Sequence, residues 1–292
     1  MLNAKKTDGM ALADSTSAVA TVMEKIGYSA IIRTFNSERT LPLALKSLRD
    51  QTLPPSEYVF VDSGSTDGTL WLLPQGSIIH HYSGMEFNYS EALNQGLRYV
   101  SGKYVLIFSS HTLLPQRKAI EFALGLLEKD DRIGAGYFDF DKTGGLRYIL
   151  INKDDFDGFN GLWNTCGIVR TDLLKRRNFR PEVFAAEDQE WSKWLLESEN
   201  KLIARISGAG MEHCRFSNPK THALRKRLNE HVAIAYFSNR KMLGWNHLIK
   251  VAFRVVKPTL RPDLRERLFN LLLFFRLLGC RFTKPNYKSR YF

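Results

Sequence analysis

The chain has 292 residues, 44% of them apolar, and a formal net charge of +12. A chain of this length can bury a core without disulfide or metal support, so a mainly disordered protein is excluded. Its three cysteines, Cys166, Cys214 and Cys280, are widely spaced, which argues against a secreted disulfide scaffold or a zinc ribbon and favours a reducing compartment.

The N-terminal region carries scattered charge and small polar side chains, and it lacks the central apolar stretch of a secretory signal. We therefore expect residues 1–27 to form a loose tail or a short helix outside the fold. The most apolar run of the chain, at residues 268–275, is interrupted by Asn270 and is far shorter than the ~20 residues of a spanning helix. No transmembrane segment is predicted.

Short β-prone apolar segments alternate with segments of helical periodicity between residues 28 and 140. After Thr40, for example, Leu41, Leu45 and Leu48 fall on one helical face. Strands linked by helices predict an α/β fold, with a Rossmann-like, mostly parallel sheet and flanking helices. The predicted strands are residues 28–32, 58–61, 78–79, 104–108 and 133–140.

Polar residues follow three of these strands, at 33–39, 62–68 and 109–111. Ligands of parallel sheets bind beyond the carboxyl ends of the strands, so these segments predict a nucleotide-sized site. Asp62 can accept hydrogen bonds from a base or ribose, and Asp67 can cap the helix predicted at 69–73. An ordinary polar loop with a capping Asp would have the same local pattern.

Beyond residue 145 the alternation is less regular. We predict a strand at 162–169, a helix at 186–198 whose Trp191, Trp194 and Leu195 face inward, and a strand at 202–206. Helices at 221–242, 246–256 and 262–279 form a basic C-terminal segment, residues 215–292. This segment has 18 Lys and Arg but three acids, so we expect a phosphate-bearing partner: lipid, nucleic acid or an anionic substrate.

The last predicted helix is amphipathic, with arginines flanking one apolar stripe. The stripe could dock on an anionic membrane surface. Alternatively, it could pack on the preceding domain or on a second subunit of a homo-oligomer, because amphipathicity alone does not separate these cases. The stripe consists of Leu264, Leu268, Leu271, Phe275 and Leu278.

Three sequence blocks together resemble the nucleotide-binding half of the family 2 glycosyltransferases, which have the GT-A fold. They are IIRTFNSER at residues 31–39, SLRDQT at 47–52 and VDSGSTDGT at 61–69. The spacing between the blocks also matches, and the resemblance covers residues 28–214. It implies that Asp67 supports its loop and that the donor's base and ribose contact Thr34, Asn36, Glu38, Asp62 and Ser63.

The resemblance also implies that Asn94, in the segment SEALNQG at residues 90–96, lies near the donor. The alternative for this residue is an amide on a helix face that satisfies nearby backbone groups.

The chain departs from the family at the end of the strand predicted at 104–108. The family has Asp-x-Asp there, which holds Mg²⁺ or Mn²⁺ against a diphosphate, whereas this chain has Ser109, Ser110 and His111. This segment resembles a subset of the family that has Ser-x-His followed by Pro. We therefore include Ser110 among the residues predicted to bind the nucleotide. Imidazole binds Mn²⁺ or Zn²⁺ but is a poor ligand for Mg²⁺.

Two alternatives follow for how the negative charge of the leaving diphosphate is stabilised. Either His111 and His213 share a divalent cation, Mn²⁺ more readily than Mg²⁺, or no cation is needed. In the second case His111 would act with Lys or Arg side chains.

An acidic cluster opens the helix predicted at 186–198, in the sequence AEDQEW. Glu187 and Asp188 lie at its N-terminus, where the helix dipole favours their ionised form, although plain helix-start charge would look the same. The cluster resembles the family's Glu-Asp motif, in which the Asp takes the acceptor proton. This implies that Asp188 is the general base and that Glu187 binds the acceptor or holds the helix start.

Two residues of the segment predicted as a strand at 162–169, Trp163 and Asn164, are assigned to the acceptor side. The resemblance places Asn164 at the acceptor wall. Trp163 could stack on a sugar there, or it could belong to the core, as large aromatic side chains usually do.

Together these implications predict an inverting glycosyltransferase that moves a sugar from a nucleotide diphosphate sugar to a saccharide or lipid-linked saccharide in surface polysaccharide synthesis. We expect a cytoplasmic protein held peripherally at the inner face of the membrane. A catalytically inactive nucleotide-binding protein of the same fold would instead explain the missing carboxylates. A nucleic-acid-binding protein would explain the basic segment, but that segment has no recognisable reader motif.

Overall fold

The protein is represented by a computed structural model that describes residues 27–214, 220–256 and 264–286. Residues 1–26 of the predicted tail therefore lie outside the described residues. The strands are β1 (Tyr28–Thr34), β2 (Glu57–Asp62), β3 (Ile78–His81), β4 (Tyr104–Ser109), β5 (Thr112–Leu113), β6 (Ile133–Phe138), β7 (Arg147–Ile151), β8 (Cys166–Arg170), β9 (Leu202–Ser207) and β10 (Glu212–His213).

Eight of these strands form one sheet in the order β3-β2-β1-β4-β8-β6-β9-β7, and β5 pairs with β10 beside it. The strands β3, β2, β1 and β4 are parallel, whereas β8 and β7 run antiparallel to their neighbours. The predicted mostly parallel sheet is confirmed. Strand β7, at the sheet edge, has no predicted counterpart, and β8 begins at residue 166 rather than 162.

The helices are α1 (Leu41–Arg49), α2 (Tyr89–Leu97), α3 (Ala119–Lys129), α4 (Thr171–Arg176), α5 (Glu187–Glu197), α6 (Lys220–Ala233), α7 (Trp245–Val256) and α8 (Leu264–Gly279). The helix predicted at 221–242 ends at residue 233 and continues as a π turn, Ile234–Ser238, and a 3₁₀ turn, Arg240–Leu243. The helix predicted at 69–73 is a 3₁₀ turn, Gly68–Leu72. Trp191 and Leu195 of α5 are buried, as predicted.

The sheet is covered by apolar side chains on both faces. Along β1, Ala30 and Ile32 pack in the layer that contains α1 and α3, while Ile31 packs in the layer that contains α2 and α5. Gly96 lets α2 approach the sheet closely, because a Cβ there would lie 2.7 Å from Val61 Cγ2. The carboxyl ends of β1, β2 and β4 are thereby held side by side at one edge.

The C-terminal helices pack against the sheet domain through a third apolar cluster. Phe184 and Ala185, which precede α5, join side chains of α6, α7 and α8 in this cluster. Helix α8 contributes Phe269, Leu273 and Leu277. No helix within the described residues is both long and apolar enough to span a membrane.

The buried face of α8 is not the apolar stripe identified in its sequence. In that stripe, Leu264 is 75% exposed, Leu268 48%, Leu271 39% and Phe275 60%, and Leu278 is partly buried. Packing of the stripe on the preceding domain is therefore not observed. The reason is that α8 carries apolar residues on two faces, and the other face meets the core.

Candidate active site

A cleft of about 580 Å³ opens at the carboxyl ends of β1, β2 and β4, where ligands of such sheets bind. One side, here the strand wall, consists of residues 33–37, 40, 63 and 109–111. The other side, the helix wall, consists of residues 163–165, 186–189, 226, 230, 231 and 234. The predicted site residues that line the cleft are Thr34, Asn36, Ser63, Ser110, His111, Trp163, Asn164, Glu187 and Asp188.

In the strand wall, hydrogen bonds join the loops that follow β1 and β2. Asn36 has a left-handed backbone, with φ of 45°, which Asn tolerates better than most residues. Its Oδ1 accepts a hydrogen bond from Thr66 N at 2.8 Å, and its own N donates to Ser65 Oγ at 2.9 Å. Asn36 therefore fixes the loop pair while lining the cleft.

Asp62 lies behind the cleft surface rather than on it. Its buried carboxylate accepts hydrogen bonds from Gly64 N at 3.0 Å, Ser65 N at 2.9 Å and Thr34 Oγ1 at 2.9 Å. In place of the predicted contact with a base or ribose, this geometry indicates that Asp62 folds the loop. The loop presents Ser63 instead, whose buried Oγ has no hydrogen-bond partner in the described part of the chain.

Glu38 and Asp67 also act on loop structure. Asp67 caps the 3₁₀ turn by accepting from Thr69 N at 3.0 Å, and it accepts from Glu38 N at 3.1 Å. Glu38 Oε2 accepts from Gly68 N at 3.2 Å, and its side chain does not line the cleft. The predicted loop support by Asp67 is observed, whereas Glu38 is turned to the loop rather than to the predicted donor pocket.

Asn94 lies outside the cleft lining. Its Nδ2 donates to Phe179 O at 2.7 Å, and its Oδ1 accepts from Phe179 N at 3.0 Å. The amide thus satisfies the backbone of another segment, as in the helix-face alternative. The structure does not bring Asn94 together with the residues predicted to bind the donor.

The helix wall contains two adjacent carboxylates at the start of α5. Asp188 Oδ2 accepts a hydrogen bond from Asn164 N at 3.0 Å, and its Oδ1 accepts from Gln189 N at 2.9 Å. Glu187 Oε1 accepts from Asn164 Nδ2 at 3.1 Å. Asn164 therefore contacts both acids, and the structure brings these three predicted residues together.

The protein raises the pKa of Asp188 from 3.8 to about 7. Desolvation is the largest cause and the negative charge of Glu187 the next, while backbone hydrogen bonds from Asn164 and Gln189 oppose the shift. The helix N-terminus was expected to favour the ionised form of Asp188, but desolvation and the charge of Glu187 outweigh this effect. A carboxyl with a pKa near neutrality is suited to accept a proton in catalysis at physiological pH.

Arg33, at the end of β1, is a cleft residue that the motif analysis did not single out. Its Nη1 lies 3.8 Å from Glu187 Oε1, and its Cζ lies 4.8 Å from the Tyr89 ring centroid. Nη1 is buried and makes no hydrogen bond to any described residue, which is costly for a charged donor. The sequence feature that could have identified Arg33 as a site residue is its charge, which stands at the end of an apolar strand.

Helix α6 adds Lys226, Glu230 and His231 to the helix wall. Burial raises the pKa of Glu230, Lys226 opposes this, and the charge of Glu187 adds to it. No local pattern indicated these residues, because their position depends on how the C-terminal segment folds back over the sheet. The cleft is thus built from both predicted segments, 28–214 and 215–292.

The residues at the end of β4 meet partners from two other segments. Ser110 Oγ lies 2.8 Å from Ser37 Oγ. The β5–β10 pairing brings His111 and His213 together, with ring centroids 5.3 Å apart. Their predicted proximity is therefore observed.

These residues do not fit a protein-held hard cation. The end of β4 supplies hydroxyl groups and an imidazole rather than carboxylates, whereas Mg²⁺ requires mainly anionic oxygen. Among the described residues, no group of three or more His, Cys, Asp and Glu side chains could hold a metal ion.

Trp163 packs on the core and also reaches the cleft. Its ring lies 4.7 Å from that of Tyr137 and packs on the core, and its Nε1 donates to Phe159 O at 3.3 Å. The same side chain also lines the cleft. It is therefore a partly buried wall of the site.

Sequence comparison identifies a family, and it finds partial similarity to curated glycosyltransferases. The family model described as "Glycosyl transferase family 2" matches residues 29–179. A cholesterol galactosyltransferase of Borreliella burgdorferi is 33% identical over 89 residues, which are 29% of this chain. The match spans 25% of the length of that relative.

Structure comparison finds the same fold in solved proteins. S. aureus TarS 1-349 has a TM-score of 0.56 and 19% identity, with 88% of this chain and 82% of that chain covered. Mannosyltransferase PcManGT from Pyrobaculum calidifontis, in complex with GDP-Man and Mn²⁺, has a TM-score of 0.53 and 18% identity, with 90% and 76% covered. At these identities the similarity concerns the fold.

Proposed function

The chain belongs to glycosyl transferase family 2, and from this we propose that its cleft transfers one sugar from a nucleotide diphosphate sugar to an acceptor hydroxyl with inversion. The observation that carries the proposal is the pairing of two walls in one cleft. Polar loops after β1 and β2 form one wall, and Asp188, with a pKa raised to about 7, lies in the other.

Asp188 is the proposed general base. The acceptor oxygen attacks the anomeric carbon opposite the diphosphate, the new C–O bond forms as the bond to the diphosphate oxygen breaks, and the hydroxyl proton passes to the Asp188 carboxylate. Attack from that side inverts the anomeric carbon. General-base catalysis contributes about 10²- to 10⁴-fold, so positioning and stabilisation of the leaving charge must supply the rest.

The strand wall is the proposed donor site. Asn36, Ser63 and Ser110 present amide and hydroxyl groups to the cleft, which suit a base, a ribose or a diphosphate oxygen. Arg33 Nη1, which makes no hydrogen bond to any described residue, supports binding of an anionic oxygen close to Glu187. The GDP-Man bound to PcManGT supports a nucleotide-sugar donor for this fold.

The leaving diphosphate can be stabilised in two ways, and chelation separates them. If His111 and His213 bind a cation, treatment with EDTA should stop turnover, and Mn²⁺ should restore it better than Mg²⁺ because imidazole is a poor ligand for Mg²⁺. If the side chains act alone, EDTA should leave turnover unchanged. A His213→Ala variant should reproduce the loss only in the first case.

We propose a saccharide or lipid-linked saccharide as the acceptor, in surface polysaccharide synthesis. A cytoplasmic enzyme at the inner face of the membrane would meet both a nucleotide donor and a lipid-linked acceptor. The basic C-terminal helices, which complete the helix wall through α6, support this arrangement.

The test combines nucleotide binding with turnover. UDP, dTDP, GDP and CDP are screened by thermal shift, with and without Mn²⁺, and the matching nucleotide sugars are then assayed for transfer and hydrolysis. We expect one nucleotide to raise the melting temperature and its sugar to be consumed. If no nucleotide raises the melting temperature, the proposed donor site is wrong.

The loss of both Asp-x-Asp carboxylates favours a second candidate, a nucleotide-binding protein without catalysis. It would bind the same nucleotide but would neither transfer nor hydrolyse any nucleotide sugar. Turnover that depends on Asp188 contradicts this candidate.

A further inference from the structure

The stretch from residue 245 to residue 282 exposes an unusual amount of apolar surface. It holds 10 of the 21 large apolar side chains that are exposed in the described residues. Single exposed apolar residues are common, but contiguous apolar surface marks a binding face.

On α7 the exposed apolar side chains follow helical spacing. Trp245, Ile249, Phe253 and Val256 are 57% to 68% exposed and fall on one side of the helix. The inner side of the same helix is formed by Leu248 and Val251, which are buried. The outer stripe is therefore additional to the face that the core requires.

Helix α8 repeats this arrangement. Its inner side packs in the third apolar cluster, and its outer side exposes a second stripe. The two helices pack against each other. The outer face, as we name it, comprises Trp245, Ile249, Phe253 and Val256 of α7 with Leu264, Leu268, Leu271, Leu272 and Phe275 of α8.

The charge around the outer face is strongly positive. From residue 245 to the C-terminus the sequence has 11 Lys and Arg and two acids, Asp263 and Glu266. Lys250 and Arg254 are exposed directly beside the α7 stripe. Glu266 is already engaged by Arg227, which leaves little negative charge on this side.

Basic grooves border the start of the α7 stripe. Arg240, Arg281 and Phe282 line a groove of about 370 Å³, and Arg240 also lines a second groove with Lys193 and Lys284. The Arg281 guanidinium lies 4.5 Å from the Trp245 ring centroid. Cationic side chains and exposed aromatic rings are thus adjacent, which is typical of proteins that bind at a lipid headgroup layer.

We propose that the outer face docks on an anionic lipid bilayer, with the apolar stripes entering the headgroup region and the flanking cations contacting lipid phosphates. Charge complementarity favours this occupant over a second copy of the chain, because a symmetric dimer would bring two strongly basic surfaces together. A nucleic acid would leave the apolar stripes exposed to water.

The docked face is connected to the cleft. Helix α6 carries Glu230 and His231 in the helix wall, and the His231 ring lies 5.2 Å from the ring of Phe269 on the inner side of α8. Docking would therefore hold the helix wall near the membrane. Docking on the membrane does not depend on the proposed function, because it requires no substrate. The use of docking to reach a lipid-linked acceptor does rest on the proposed function.

The test is flotation of the full chain with phosphatidylcholine vesicles that contain or lack phosphatidylglycerol. We expect binding to the anionic vesicles that is weakened by salt and little binding to the neutral ones. An Ile249→Ser, Phe253→Ser, Leu268→Ser variant should lose roughly tenfold or more in affinity, since each substitution removes an exposed apolar side chain that docking would bury in the bilayer. A Lys250→Gln, Arg254→Gln variant should lose the preference for anionic lipid.

A Trp71→Ser variant is the matched control, because Trp71 is 92% exposed but lies in the 3₁₀ turn after β2. It should bind vesicles as the wild type does. Retained nucleotide thermal shift in every variant would show that the cleft is intact and would separate this test from that of the proposed function. Equal binding to neutral vesicles, stronger binding to DNA, or a dimer that the stripe substitutions dissociate would each overturn the proposal.

Discussion

The two walls of the cleft differ in how they are built. In the strand wall, the loops after β1 and β2 are joined by the hydrogen bonds of Asn36 and Asp62, and they present mainly hydroxyl and amide groups to the cleft. In the helix wall, charged side chains of α5 and α6 meet, and several of them alter the pKa of others. The strand wall is therefore a hydrogen-bonded pair of polar loops, whereas the helix wall is a cluster of interacting charges.

This difference assigns different duties to the walls. The hydroxyl and amide groups of the strand wall suit recognition of a nucleotide. A buried carboxyl whose pKa lies near neutrality suits proton transfer. Substitutions should accordingly separate binding from turnover when they are made in one wall or the other.

The largest effect is expected for Asp188→Asn. Transfer should fall by about 10²- to 10⁴-fold, because the amide cannot accept the acceptor proton. Nucleotide affinity should remain close to that of the wild type, since Asp188 belongs to the opposite wall. Wild-type turnover in this variant would remove the proposed base.

The pH dependence of transfer should show the same group. Transfer should fall about tenfold for each pH unit below about 7, where Asp188 becomes protonated. Because the folded-state pKa is raised, Asp188 stabilises the protein at low pH, and this contribution is lost as the pH rises through about 7. Urea unfolding of wild type and Asp188→Asn across this range measures the second effect, and parallel stability curves would contradict it.

Substitution in the strand wall should affect binding and stability instead. Asp62→Ala removes the acceptor for the loop N–H groups, so we expect a loss of roughly 1–3 kcal/mol in unfolding free energy and a comparable loss in nucleotide affinity. Asp67→Ala, which removes the cap of the 3₁₀ turn and the acceptor for Glu38 N, is the control with a smaller expected loss, because Asp67 is more exposed than Asp62. An Asp62→Ala protein with unchanged nucleotide affinity would mean that the donor does not use this loop.

A smaller effect is expected at Arg33, which joins the walls. Arg33→Gln removes the cation beside Glu187, so the pKa of the neighbouring Asp188 should rise, and the pH profile of transfer should move upward by less than about one unit. Arg33→Lys keeps a positive charge beside Glu187, so its pH profile should lie between those of the wild type and of Arg33→Gln. A uniform loss of activity without any movement of the profile would indicate a purely structural role.

The smallest effect is expected for Glu230→Gln. Glu230 is a minor contributor to the raised pKa of Asp188, so its removal should move the pH profile downward by about a few tenths of a unit. A large loss of transfer would instead point to Glu230 as the base.

The parts that could be predicted from sequence follow the same division. The strand wall lies in contiguous motifs, so Thr34, Asn36 and Ser63 were found together with their sheet edge. What local pattern could not supply was side-chain orientation. Asp62, Glu38 and Asn94 have the right residue types, but their side chains hydrogen-bond to groups of the protein rather than lining the cleft.

In the helix wall, four residues were predicted from the acidic motif and from the segment that precedes β8: Trp163, Asn164, Glu187 and Asp188. Arg33 and Glu230 reach the two acids from segments far apart in the sequence, so their positions and the resulting pKa shifts depend on the folded structure. The sequence left open whether the apolar stripe of α8 is buried for a similar reason, because a helix with two apolar faces does not reveal which of them packs on the core.

The most direct test of a shared cleft is an NMR titration of ¹³C-labelled aspartate carboxyls, with Asp188→Asn to assign the resonance. Asp188 should titrate at about pH 7 in the free protein. Its pKa should be higher when the nucleotide diphosphate selected by thermal shift is bound, because a nearby anion disfavours the carboxylate. An Asp188 carboxyl that titrates at its ordinary value and does not respond to the nucleotide would show that Asp188 and the donor do not share one cleft.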